Sequence, residues 1–159
     1  MVGDTVAIAT IALILHIFSA VVWVGGMFFA LIVLRPATGA LEPGPRLGLW
    51  LRVFERFFAW VFAAIALLLA SGYAMVFWVF AGFRGIGLHV NIMQATGILM
   101  MLLFFHLYFA PWRRYRAALA RQDQAAAAAQ LGQIRAIVAI NLLLGLVTVA
   151  VGSSGRYWG

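Results

Sequence analysis

Three histidines, His16, His89 and His106, carry most of the chemistry open to this sequence, and each lies in or at the edge of a long apolar run. His16 is followed by Ser19, Trp23 and Met27, spaced so that at about 100° per residue they share one stripe of a helix. His89, Met93, Thr96 and Met100 form a second stripe, with Asn91, Ile98, Leu102 and His106 on its neighbour. Asn141, Gly145, Thr148 and Gly152 form a third. Imidazole and thioether together suit copper, the thioether favouring the reduced ion. Two facing histidines also suit a b-type haem, with a glycine near the middle of each apolar run making room for the flat ring. Arg84 and Arg156 are then placed to meet its propionates. The residues by themselves leave copper and haem both open. Cysteine is absent, which excludes disulfides, thiolate metal sites and cysteine nucleophiles. With only four acids and no phosphate loop, neither hydrolysis nor phosphoryl transfer is expected.

These side chains must be positioned by a membrane protein. The chain has 159 residues, 66% hydrophobic and 9% charged, with a mean hydropathy of +1.06. A soluble domain carries about 25% charged residues. At about 20 residues per crossing, the length allows four spans and no separate soluble domain. The apolar runs predict an all-α, integral membrane four-helix bundle forming a single domain over 1–159. Its helices are expected at about 6–34, 57–80, 88–110 and 134–152, and none alternates with the period of a barrel strand. Arg35-Pro36 and Pro111 are expected to close the first and third. The run from Arg46 to Arg56 has apolar residues at helical spacing and is expected to lie at the membrane interface and lead into the second span. The alanine-rich stretch around 112–133 should extend the last two helices beyond the bilayer. The first apolar run is too long for the core of a cleavable signal peptide.

Arginine supplies every basic charge, for a net charge of +7. Nine arginines flank the inner ends of the runs, from Arg35 to Arg56 and from Arg113 to Arg135. Only Arg84 and Arg156 lie on the other side. This bias predicts both termini outside, and the scattered arginines form no continuous face for nucleic acid. Trp50 and Trp112, and on the far side Trp78, Tyr157 and Trp158, read as interfacial anchors. At 1.5 Å per residue, His16 lies roughly 28 Å from Arg35 and His89 roughly 36 Å from Arg113, near enough in depth to act together. His106 lies only about 10 Å from the basic end, level with Asn141, and its expected role is a structural bond to that residue.

The stretch Leu15-His16, then Trp23-Val24-Gly25-Gly26-Met27-Phe28-Phe29 and Val33-Leu34-Arg35-Pro36-Ala37, resembles the first helix of the bacterial copper resistance D (CopD) family. The resemblance continues in Arg56-Phe57-Phe58, Ser71-Gly72, His89, Gly97 and Asn141-Leu142-Leu143-Leu144-Gly145-Leu146. It implies a four-helix inner-membrane protein of copper uptake or tolerance. The first helix is similar, more distantly, to that of the four-helix protoporphyrinogen oxidase family, where a first-helix histidine is associated with haem. That family's lysine has no counterpart here, because the chain contains none.

Copper held by His16, His89 and Met93 near the periplasmic face is therefore the leading expectation, with Gln94, Ser19 and Trp23 orienting the ligands. The alternative is haem b on His16 with His89 or His106, in a redox protein passing electrons to a quinone or partner. The only enzyme compatible with the residues is then a haem-dependent oxidoreductase. A cofactor-free structural or assembly subunit is the third reading. Expected partners are the lipid bilayer, a periplasmic copper carrier or redox protein, and a second copy of the chain in a homo-oligomer, with no nucleic acid.

Overall fold

Hydrocarbon offers the backbone no hydrogen bonds, so each apolar run has to close its own. In the computed structural model, which describes Val2–Trp158, the chain is 90% helical, with no strand among the described residues. The first helix, α1, is α-helical over Val2–Phe28 and π-wound over Phe29–Leu34. It ends through Arg35–Ala37 and a 3-10 turn at Thr38–Ala40. Helix α2 spans Pro43–Trp78. Helix α3 runs over Leu88–Leu107, passes through a π segment at Tyr108–Trp112 and continues over Arg113–Ala120. Helix α4 spans Gln124–Ser154 and finishes in a 3-10 turn at Gly155–Tyr157. All four are long and apolar enough to cross a membrane.

The two prolines do not close the spans. Proline lacks an N–H, and its ring presses on the carbonyl four residues back. A turn widened to the π form relieves that pressure, and both π segments lie at or beside a proline, Pro36 and Pro111. The helices therefore run on beyond the expected stops. The connections are correspondingly short. Only Leu41 and Glu42 separate α1 from Pro43, the first residue of α2. Between α3 and α4 the backbone turns at Gln122 (φ 58°), and Asp123 caps α4 by accepting a hydrogen bond from the Ala126 amide at 2.9 Å.

α1 packs mainly on α2, and α3 on α4, with α1 also touching α4. The run Arg46–Arg56 leads into the second span, as expected, and its apolar face is covered by protein. It forms the first turns of α2, where Leu47, Trp50 and Phe54 are buried against the extended ends of α3 and α4. Trp50 and Trp112 are buried in the core there rather than exposed as anchors would be, because the packed helix ends need large side chains between them. Phe54 stacks on Trp50 and Phe58 at 5.0 and 5.2 Å, and Trp112 meets Phe54 and Phe58 edge-on. Phe104, Phe62 and Tyr108 extend the same network. The Tyr115 hydroxyl, fully buried, donates to the Leu47 carbonyl at 2.7 Å and ties α3 to α2. Trp78, Tyr157 and Trp158, at the other end, are exposed as anchors should be.

Candidate functional site

At the end away from the arginines, polar side chains replace the aromatic rings between helices. Nδ1 of His16 on α1 lies 3.0 Å from Oγ of Ser71 on α2. The single Ser71 hydroxyl proton is already given to the Leu67 carbonyl, 2.5 Å away. The bond to Ser71 engages Nδ1, and Nε2 is the ring nitrogen that Ser71 leaves open. Gly72 lets the ring lie close: a Cβ there would stand 3.3 Å from Cε1 of His16.

The remaining bonds fix the heights of the helices against one another. Gln94 of α3 donates to the Tyr73 hydroxyl of α2 at 3.4 Å, and Thr148 of α4 donates to Thr96 of α3 at 2.7 Å. Ser71 and Tyr73 differ in height by roughly 3 Å, as do Gln94 and Thr96. His16 is thus level with Thr96, about 3 Å inside the level of Gln94 that its depth in the sequence predicts, and farther still inside Met93. His89 lies about two turns farther out than His16, roughly 10 Å.

His89 and Met93 share the face of α3 that meets the end of α4. The His89 side chain fills the space that a side chain on Gly155 would need, and Met93 does the same at Gly152, its sulfur 3.2 Å from that Cβ position. The His89 ring also meets Trp158 edge-on at 6.5 Å. Two expected partners of His16 are elsewhere. The Ser19 hydroxyl bonds back to its own helix at the Leu15 carbonyl, and Trp23 packs edge-on against Phe104. Ser71 is the partner instead. The sequence offered a signal for it, a polar residue beside a glycine inside an apolar run.

His106 is not joined to Asn141. The stripe Asn91, Ile98, Leu102 and His106 is exposed on the outer surface of the bundle. Asn141, 2% exposed, donates instead to the Met100 carbonyl at 3.1 Å, leaving its own Oδ1 without a partner. Among the described residues no three of His, Asp and Glu converge, so no carboxylate-rich site for a hard cation is present. The donors toward this end are the imidazole of His89 and the thioether of Met93, with the imidazole of His16 farther in. That set fits copper, above all the reduced ion.

Fold and side chains together define a multi-pass α-helical membrane protein with histidine and methionine at one end and arginines at the other. The model of the Copper resistance protein D (CopD) family matches residues 51–154, and the chain belongs to that family. The match takes in most of α2, all of α3 and nearly all of α4, and so includes Ser71, His89 and Met93. It leaves α1 and His16 outside. No curated protein matches the chain, and no solved structure does.

Proposed function

We propose that this protein binds copper at the end of the bundle marked by His89 and Met93, and serves copper uptake or homeostasis in a bacterial inner membrane. One observation carries the reading: an imidazole and a thioether one turn apart are seated side by side against Gly152 and Gly155, with the His16 imidazole farther in on the same half of the bundle. His16, His89 and Met93 are the proposed ligands, and copper is cargo handed on rather than a catalytic cofactor. The family supports the metal, and the arginine bias supports a periplasmic position for the site, where a soluble copper carrier would dock.

The test is metal content with an absorption spectrum. Protein purified under reducing conditions and loaded with Cu(I) should hold copper after desalting and remain colourless, with no Soret band. Loss of most of that copper in both His16→Ala and His89→Ala supports the site. A red protein with a Soret band that vanishes in His16→Ala would replace copper with haem b. Neither metal nor haem in folded wild-type protein would leave the structural-subunit reading in front.

A further inference from the structure

The opposite end of the bundle holds a second cluster, which copper chemistry does not use. Arg135 of α4 lays its guanidinium over the Trp50 ring of α2, Cζ standing 5.5 Å from the ring centre. The stack fixes the arginine head, with its Nε buried and unbonded. Trp50 is only 1% exposed, and its Nε1 likewise finds no acceptor. Two further arginines come to the same place. Arg46 lies one turn before Trp50 on α2, and Arg35 directly follows the π segment Phe29–Leu34, which packs on α4. The charges of Arg35 and Arg46 bear on Arg135, and no carboxylate does. None of the three forms an ion pair among the described residues. The acids of this end are engaged or turned elsewhere: Asp123 caps α4, Glu55 lines a separate groove with Arg116, and Glu42 is exposed.

Three converging cations with no counter-charge, at the edge of a low-dielectric slab, repel one another until an anion joins them. The planar fork of a guanidinium matches the oxygens of a phosphate, and an arginine already held on a tryptophan ring loses little freedom in binding one. Arg35 and Arg135 stand where apolar runs end, the depth at which lipid headgroups lie. We propose that Arg135, held on the Trp50 ring, binds a phosphate-bearing anion together with the neighbouring Arg35 and Arg46. Two sources share this chemistry, an anionic phospholipid headgroup and free phosphate.

The full-length protein is placed in nanodiscs of phosphatidylcholine alone, of phosphatidylcholine with phosphatidylglycerol, and of phosphatidylcholine with inorganic phosphate in the buffer. Melting temperature and lipid retained in native mass spectrometry are read for each. Wild type should retain phosphatidylglycerol and melt higher with it, and Arg135→Gln should retain roughly fivefold less. The double variant Arg35→Gln/Arg46→Gln should lose a similar share, and it decides the matter if Arg135→Gln does not fold. Arg121→Gln, an exposed arginine at the same end, should behave as wild type. A shift with phosphatidylglycerol alone assigns the site to a lipid headgroup, whereas an equal shift with inorganic phosphate assigns it to the free anion. No shift with either, or an equal loss in Arg121→Gln, overturns the proposal.

Discussion

Ser71 decides which nitrogen of His16 can bind anything. Its bond to Nδ1 holds the ring in place and leaves Nε2 as the nitrogen open to a ligand. Ser71→Ala should therefore fold, since one interhelical hydrogen bond in a membrane is worth about 0.6 kcal/mol on average. Its copper affinity, measured by competition with a chromogenic Cu(I) chelator, should fall about 10-fold or more, the usual cost of removing a ligand's orienting partner. Unchanged affinity would show that the serine does not orient the ligand. His106→Gln is the contrasting case. Its side chain is exposed on the outer face of α3, so both copper content and melting temperature should match wild type. The residue scale is also where the sequence was least legible. A histidine inside an apolar run announces that it needs a partner, but which helix supplies it depends on packing. Stripe membership placed Ser19 and Trp23 beside His16, whereas backbone capture and an aromatic contact took them elsewhere.

Helices were easier to read than their partners, because hydropathy alone dictates where a chain must close its own hydrogen bonds. What hydropathy could not show is the passage through Pro36, since a π turn rescues a proline only when neighbouring helices hold the chain in line. Nor could it show that other helices cover the apolar face of Arg46–Arg56, because periodicity reveals such a face but not its partner. The pairing of α3 with α4 makes its own prediction. A methyl group on Gly155 would collide with the Cβ of His89, an atom that cannot swing aside. Gly155→Ala should force the two helices apart at this end, destabilising the bundle by about 1–3 kcal/mol and lowering copper content with it. Wild-type melting and metal content in that variant would contradict the close approach.

For the molecule as a whole, the distribution of arginine sets the expected direction in the membrane, with nine on one side and two on the other. A reporter active only in the cytoplasm, fused after Gly159, should stay silent, and a strong signal would reverse the proposed orientation and move the copper site to the cytoplasmic face. The two ends also differ in what holds them. Near the arginines, aromatic rings from α2 and α3 interlock around the buried Tyr115, whereas the far end relies on isolated bonds such as His16 to Ser71 and Tyr73 to Gln94. Rings locked among many neighbours can leave only when the whole core opens, while an isolated bond breaks alone. Deuterium should consequently label the amides of Leu88–Thr96 well before those of Phe104–Ala118, in two cooperative units rather than one. The ion could then enter and leave through partial opening of one end, with the other remaining folded as a fixed base.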